Sequence, residues 1–345
     1  MTGSPAERDP CQPRRVLVTG GAGFVGSHLV RTLASRGDAI TIVDDFSTGT
    51  RAPTSKGVEL LEGRLTDRLG DLAARPAFEE IYHLAAAVGV DKVMNEPVRS
   101  IETNVEQTAA LLRFIEETGA GPMLFTSSSE VYGKPTRRVF SEDDDVVYGP
   151  TSITRWSYAC AKAIDEYLAL GHHRDGSAKC VVVRLFNTVG PGQVGAYGMV
   201  LPRFVRAAMK GETIRVFGDG TQSRCFCDVR DVVGVMPRLL ADESCRGRVF
   251  NLGSDVPVTI RELAETVIAV LGSSSTIELV PYDEAYPPGY EDLRFRRPDL
   301  ARIREAVGFA PSIPLERTIR DIAQTMADAR EAETADASER TGARA

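Results

Sequence analysis

A tyrosine and a lysine four residues apart form the first pair in this sequence that could do chemistry. Tyr158 and Lys162 lie in a segment with helical periodicity, where an i, i+4 spacing puts both side chains on one helix face. A neighbouring ammonium lowers the pKa of a phenol because it stabilises the phenolate. The pair therefore predicts a general base for a substrate hydroxyl, although by spacing alone a surface Tyr/Lys couple is the commoner arrangement.

A glycine-rich turn near the N-terminus predicts that the chain binds a dinucleotide. The segment Thr19-Gly-Gly-Ala-Gly-Phe-Val-Gly26 follows a predicted strand and opens a predicted helix, so that a pyrophosphate can rest on backbone amides at the helix N-terminus. Asp44 ends the next predicted strand, 18 residues beyond Gly26, where a carboxylate accepts hydrogen bonds from an unphosphorylated ribose. We therefore expect NAD rather than NADP, since a 2′-phosphate would be repelled.

Short apolar runs alternating with helical patterns must position these motifs. Strands are predicted at 16–19, 39–43, 80–84, 123–127 and 180–185, and helices at 27–35, 97–118, 155–173, 201–210, 259–271 and 315–326. Strands joined by crossover helices imply an α/β fold, a doubly wound parallel (Rossmann) sheet with a smaller C-terminal α/β substrate domain. The expected divisions are a disordered N-terminus (1–13), an NAD-binding Rossmann domain (14–185), a mainly substrate-binding domain (186–327, with part of 224–245 returning to the Rossmann domain) and a flexible tail (328–345).

The composition excludes several classes of protein. With 48 acidic and 41 basic residues the chain of 345 carries a net charge of −7, which argues against a nucleic-acid partner. No apolar run approaches the length of a membrane span, and the N-terminus lacks an export pattern, so we expect a cytoplasmic protein without a membrane partner. The six cysteines show no metal-ligand spacing, which predicts reduced thiols and no metal.

Further motifs give residues 14–325 a resemblance to a known family. They are the glycine turn, Ser127-Ser-Ser-Glu-Val-Tyr-Gly133, Tyr158-x-x-x-Lys162, Leu185-Phe-Asn-Thr-Val-Gly-Pro191, Phe217-Gly-Asp-Gly-Thr-Gln-Ser-Arg224, Phe250-Asn-Leu-Gly253 and Arg296-Arg-Pro-Asp299. In combination they resemble the extended short-chain dehydrogenase/reductase family, in its NAD-dependent nucleotide-sugar epimerase/dehydratase group. Within that group the chain is most similar to UDP-glucuronate decarboxylases and UDP-uronate 4-epimerases.

The resemblance assigns roles to individual residues. It implies that Tyr158, Lys162, Ser128, Glu130 and Arg296 are catalytic. It implies NAD binding by Gly20, Gly23, Phe24, Val25, Gly26, Asp44, Leu65, Leu84, Ala85, Ala86, Asn104, Tyr158 and Lys162. It implies binding of a UDP-sugar by Ser128, Ser129, Tyr158, Asn187, Arg224 and Arg296. Arg64 stands where relatives often use an aspartate on adenine, so the Leu65 backbone is the expected contact there. Relatives also imply a homodimer formed through helices 97–118 and 155–173.

The resemblance implies that the sugar is first oxidised at C4. The resulting 4-keto sugar can then react in several ways. Dehydratases carry an Asp-Glu pair where this chain has Ser129-Glu130, so the acid for leaving water is missing. Glu130 and Arg296 favour decarboxylation of UDP-glucuronate to UDP-xylose. The alternative is a UDP-glucuronate or UDP-glucose 4-epimerase, and a remote alternative is a non-catalytic NAD-binding regulator, a class that usually lacks the tyrosine or the lysine.

Overall fold

The computed structural model describes residues 12–47, 49, 52–87, 95–134, 137–195, 199–285 and 293–342, with side chains described as far as Glu331. Within these ranges seven parallel strands form a central sheet in the order β3-β2-β1-β4-β5-β7-β12. The strands are β1 (Arg15–Thr19), β2 (Ala39–Asp44), β3 (Val58–Glu62), β4 (Glu80–His83), β5 (Met123–Ser128), β7 (Cys180–Leu185) and β12 (Val249–Leu252). The predicted α/β fold with a parallel Rossmann sheet is confirmed.

Helices cover both faces of this sheet. They are α1 (Phe24–Ser35), α2 (Leu65–Ala73), α3 (Pro97–Thr118), α4 (Ser157–Arg174) and, later in the chain, α6 (Val229–Ala241). Because successive strand residues point to opposite faces, Val16 and Val18 join the core on the α1 and α6 side, while Leu17 joins the core under α3. Burial on both faces explains why β1 is a continuous run of apolar residues.

The second layer of structure lies largely beyond residue 186 and brings arginines to the end of the sheet. Its strands are β6 (Val139–Phe140), β8 (Thr188–Val189), β9 (Ile214–Phe217), β10 (Ser223–Arg224), β11 (Cys227–Asp228), β13 (Val258–Thr259), β14 (Ile277–Val280) and β15 (Phe295–Pro298). Its helices are α5 (Val200–Met209), α7 (Ile260–Leu271), α8 (Tyr282–Ala285), α9 (Ala301–Val307) and α10 (Leu315–Gly342). In the four-stranded sheet β13-β10-β15-β6, Arg224 and Arg296 are register partners on neighbouring strands.

Three parts of the fold differ from the sequence prediction. β3 and α2 were not predicted, because β3 is an edge strand whose half-exposed residues alternate without a clear apolar run. The seventh strand, β12, comes from residues 249–252, beyond the segment expected to return to the Rossmann domain, while α6 within that segment packs against α1. The last helix, predicted at 315–326, continues to residue 342 in α10, since Ala, Glu and Arg favour helix, and the flexibility expected of 328–345 stays a prediction. Residues 1–11 of the predicted disordered N-terminus lie outside the described residues.

None of the helices described combines the length and apolarity needed to cross a lipid bilayer. Within the same ranges no group of three or more His, Cys, Asp or Glu side chains is arranged to hold a metal ion.

Candidate active site

A cavity of about 1120 Å³ lies at the carboxyl ends of the central strands. Pockets for single small ligands usually occupy about 300–1,000 Å³, so this one can hold more than one molecule. The glycine turn, Asp44 and Leu65 line one end of the cavity, and Ser128, Tyr158, Asn187, Arg224 and Arg296 line the other. The motifs that are widely separated in the sequence therefore share one site.

The glycine turn is built so that backbone packs directly against backbone. Gly20 has a φ of +73°, and a Cβ there would lie 2.6 Å from the Ala85 nitrogen. A Cβ at Gly26 would lie 2.0 Å from the Gly20 carbonyl oxygen, so any larger residue would push the turn apart. Helix α1 begins immediately after Gly23 with no side-chain cap and no acidic residue in its first turn. Its first amides are thus available to an anionic group such as a pyrophosphate, which fits a dinucleotide.

Asp44 holds the glycine turn as well as lining the cavity. Its Oδ2 accepts a hydrogen bond from the Ala22 amide at 2.8 Å, and its Oδ1 accepts one from the Phe46 amide at 2.9 Å. Burial raises the pKa of Asp44, and these backbone hydrogen bonds oppose the rise. Each oxygen retains a second lone pair, so the carboxylate can also accept from a ribose hydroxyl.

Asp44→Asn should narrow the preference for NAD over NADP. Asparagine keeps an oxygen for the Ala22 amide but removes the charge that repels a 2′-phosphate. We expect the ratio of the two dissociation constants to fall by about tenfold or more, which corresponds to ~1.4 kcal/mol. Titration of both cofactors against native protein and variant measures this ratio. Equal affinities in the native protein would refute the role given to Asp44.

The remaining residues predicted to bind the cofactor divide into two groups. Leu65, Leu84, Ala85 and Ala86 line the cavity, as does the neighbouring Arg64. Asn104 instead lies behind the lining, where its Oδ1 accepts from the Ala87 amide at 2.8 Å. Asn104 therefore holds the loop after β4 against α3, and its position supports an indirect effect on cofactor binding.

Tyr158 and Lys162 lie one turn apart near the start of α4, close to Ser128 at the end of β5. Burial raises the pKa of Tyr158, the charges of Glu130 and Asp165 add to the rise, and a hydrogen bond with Ser128 opposes it. Burial lowers the pKa of Lys162, whereas the charge of Asp165 opposes that change. In this state the phenol keeps its proton, so added positive charge, such as a nicotinamide cation, is needed to favour the phenolate.

Glu130 lies between two buried guanidinium groups. Its Oε2 is 2.6 Å from Arg155 Nη2 and its Oε1 is 2.7 Å from Arg296 Nη2. The side chains of Glu130, Arg155 and Arg296 expose only 14%, 7% and 9% of their surface. Burial alone would raise the pKa of Glu130, but the two arginines outweigh it and hold the pKa at about 2. Glu130 is therefore ionised at neutral pH and fixes both guanidinium groups at the cavity wall.

The other predicted substrate contacts also reach this part of the cavity. Ser129 is buried, Asn187 Nδ2 lies 3.5 Å from the Cys225 carbonyl oxygen, and Arg224 Nη1 donates to the Ser223 carbonyl at 2.8 Å. Arg224, Arg155, Arg296 and Lys162 bring four positive charges to this part of the cavity, against the carboxylates of Glu130 and of Asp165 beside Lys162. A protein with a net charge of −7 thus presents a locally positive site suited to an anionic ligand.

Arg155 is the residue of this site that the sequence analysis did not assign. It lies in a short 3₁₀ turn, Thr154–Trp156, immediately before α4. Its position three residues before Tyr158 was the available signal, because the turn preceding a catalytic helix faces the same cavity. Its partner Glu130 lies after β5, so only the fold brings the two together.

Comparison with known proteins places this site in a family. Residues 16–253 match the model of the NAD-dependent epimerase/dehydratase family. The chain is 39% identical over 319 residues to the UDP-N-acetyl-alpha-D-glucosaminuronate decarboxylase of Bacillus cytotoxicus, covering 90% of this chain and 97% of that protein. It is 33% identical to UDP-glucuronic acid decarboxylase 3 of Arabidopsis thaliana, covering 88% of this chain and 87% of that protein.

Solved structures agree with this placement. The UDP-glucose 4-epimerase of Thermus thermophilus, in complex with NAD, superposes with a TM-score of 0.78 at 26% identity, covering 90% of this chain and 98% of that chain. The chain therefore belongs to the NAD-dependent epimerase/dehydratase family, which confirms the predicted resemblance.

Proposed function

We propose that this protein is an NAD-dependent decarboxylase of a UDP-hexuronate, with UDP-glucuronate as substrate and UDP-xylose as product. The observation that carries the proposal is the buried Arg155–Glu130–Arg296 cluster at the cavity wall. Two guanidinium groups around one carboxylate leave an excess positive charge, which suits recognition of a second carboxylate. The curated relatives named above are decarboxylases of UDP-linked uronates, and they support the same reading.

The glycine turn with Phe24 and Val25, together with Asp44, Leu65 and Leu84–Ala86, would hold the dinucleotide. When bound, NAD supplies a hydride acceptor for sugar C4. Lys162 would orient the nicotinamide ribose and favour the Tyr158 phenolate. Tyr158 would take the proton of the C4 hydroxyl, with Ser128 holding that hydroxyl. Asn187 and Arg224 would bind the diphosphate of the sugar nucleotide.

Decarboxylation then follows from the chemistry of the oxidised sugar. A ketone at C4 makes the C5 carboxylate a β-keto acid, so the bond from C5 to that carboxylate breaks, CO₂ leaves and the bonding electrons form a C4–C5 enolate. Protonation of the enolate at C5 and return of the hydride to C4 would then give UDP-xylose. Arg296 and Arg155 would orient the carboxylate before it leaves. With a pKa of about 2, Glu130 has no proton to donate at neutral pH, which favours a role in orienting the two arginines over a role as acid catalyst.

A second sugar has specific support. The relative with 39% identity, which this chain matches over 97% of that protein's length, is named as a decarboxylase of UDP-N-acetyl-alpha-D-glucosaminuronate. That sugar carries the same C5 carboxylate and differs at C2, away from the reacting groups. A UDP-hexuronate 4-epimerase is the alternative reaction, supported by the likeness to the solved 4-epimerase.

Parallel incubation of the enzyme with each of the two UDP-hexuronates and catalytic NAD tests the proposal. We expect a product lighter by one CO₂, and the ratio of kcat/KM values identifies the preferred sugar. The Lys162→Met variant serves as the inactive control. A product of unchanged mass with a new sugar signal would show 4-epimerisation and refute decarboxylation.

We further propose that the protein is a cytoplasmic homodimer. Four apolar side chains are exposed on α3 and α4, namely Val98, Ile101, Ile164 and Tyr167. Burial of these side chains in a second copy would explain why two adjacent helices carry apolar residues on their outer surface.

A further inference from the structure

Beside Tyr158 lies a buried cluster of polar side chains, of which the steps above use only Lys162. Its members are Thr19, His83, Thr108, Lys162 and Asp165, and each exposes 2% of its surface or less. Of these five, Lys162 is the one that lines the cavity. Lys162 is thus the member of the cluster that can meet a bound ligand directly.

Asp165 is the ion-pair partner of that ammonium. Lys162 Nζ lies 3.5 Å from Asp165 Oδ2, three residues further along α4, and 4.5 Å from the centre of the Phe125 ring. Neither carboxylate oxygen of Asp165 makes a hydrogen bond of standard geometry within the described residues. A fully buried carboxylate without such bonds is costly, and the ammonium is the charge that compensates it.

Hydrogen bonds link the other three side chains, Thr19, His83 and Thr108, in a row that ends beside Asp165. Burial and the Lys162 charge lower the pKa of His83 to about 3, so its ring is neutral and offers one donor and one acceptor. The Thr19 oxygen accepts from the Ala85 amide at 3.3 Å and lies 2.6 Å from His83 Nδ1, to which the hydroxyl donates when His83 carries its proton on Nε2. His83 Nε2 then donates to the Thr108 oxygen at 3.3 Å. The Thr108 hydroxyl proton is left to face Asp165. Burial raises the pKa of that carboxyl, and the Lys162 charge and Thr108 oppose the rise.

We propose that Asp165 is a positioning residue that keeps Lys162 protonated and directed into the cavity. The other carboxylates near the pair have arginine partners, although the charge of Glu166 also opposes the lowering of the Lys162 pKa. Glu166 on the same helix pairs with Arg184 of β7 at 2.7 Å, and Glu130 after β5 pairs with its two arginines. Asp165 thus supplies the negative charge that a buried ammonium needs before any substrate binds.

The proposal depends on the proposed function only for what Lys162 does in catalysis, so the deciding experiment uses neither cofactor nor sugar. The unfolding equilibrium constant is measured with urea from pH 7 to 10 for the native protein, Asp165→Asn, Lys162→Met and the double variant. A lysine with a lowered folded pKa loses its proton first in the folded state. Unfolding then becomes tenfold less favourable for each pH unit between that pKa and the unfolded value of about 10.5.

Asp165→Asn removes the carboxylate charge that opposes the lowering of the Lys162 pKa. The pH range in which only the folded state has lost the lysine proton should therefore begin at least one pH unit lower than in the native protein. The unfolding constant should therefore fall by at least an extra tenfold between pH 7 and 10, and Lys162→Met should abolish the difference. If Asp165→Asn does not fold at pH 7, it should be recovered at pH 9.5 or by adding Lys162→Met. An unchanged pH dependence, a shift that persists with Lys162→Met, or failure of both rescues would overturn the proposal.

A second measurement separates positioning from mere packing. The rate of cofactor reduction with a UDP-hexuronate should fall at high pH as Lys162 loses its proton. In Asp165→Asn this fall should begin at least one pH unit lower than in the native enzyme. A loss of rate that is equal at every pH would assign Asp165 to packing alone and would also overturn the proposal. If the native enzyme reduces no cofactor with any hexuronate, the proposed function fails, while the unfolding experiment still decides the pairing.

Discussion

Tyr158→Phe should lower turnover of a UDP-hexuronate by about 10²–10⁴-fold, the usual contribution of a positioned acid–base group. Phenylalanine keeps the ring that packs at the start of α4 and removes the hydroxyl that would accept the C4 proton. Because burial raises the pKa of this phenol, the native rate should also rise with pH as the phenolate forms. Steady-state rates from pH 6 to 9 measure both effects, and the variant should lack the pH-dependent rise.

Cofactor binding and folding are the controls for that variant. The glycine turn and Asp44 lie at the other end of the cavity, so affinity for NAD should change by less than about tenfold. Near-native turnover with intact cofactor binding would mean that another residue removes the C4 proton.

Arg296→Ala and Glu130→Gln should suppress CO₂ release more strongly than C4 oxidation. Arg296 would orient the carboxylate that leaves, and Glu130 holds Arg296 and Arg155 through contacts of 2.7 and 2.6 Å. We expect CO₂ release to fall by about 10²-fold, with oxidation reduced less than about tenfold. Reduced cofactor should therefore accumulate on mixing with UDP-glucuronate, visible by its absorbance.

Arg294→Ala is the matched control for Arg296→Ala. Arg294 lies two residues earlier, is 75% exposed and pairs only loosely with Asp219 at 3.5 Å. It should leave the ratio of oxidation to CO₂ release unchanged.

Since removing the Glu130 charge leaves two buried guanidinium groups without their carboxylate, Glu130→Gln should also lower the free energy of unfolding by roughly 3–5 kcal/mol. Equal loss of both steps in Arg296→Ala and Glu130→Gln would remove these residues from the carboxylate subsite.

Local periodicity in the sequence predicted five strands of the central sheet and the helix that carries Tyr158 and Lys162. Helix α3 has the predicted bounds, marked by Pro97 at its start and Gly119 after its end. The strands β3 and β12 escaped prediction for a different reason. β3 pairs with β2, the strand before it, but its half-exposed residues form no clear apolar run. β12 is specified by its pairing with β7, which is distant in sequence.

The ion pairs within the site could not be predicted from the sequence either. Glu130 was recognised by its motif, but its burial between Arg155 and Arg296 depends on three separate elements meeting at the cavity. Asp165 is adjacent to Lys162 along the helix, yet its spacing of three residues also occurs in solvent-exposed pairs. Only the packing of α4 against α3, β5 and β7 shows that this pair is buried.

The fate of the sugar carboxylate tests the proposed decarboxylation most directly. UDP-glucuronate labelled with a heavy carbon isotope at C6 and with deuterium at C4 is incubated with the native enzyme and catalytic NAD. The account predicts that the heavy carbon leaves as CO₂ and that the deuterium returns to C4 of the UDP-xylose formed. Retention of the heavy carbon in a hexuronate inverted at C4 would contradict it.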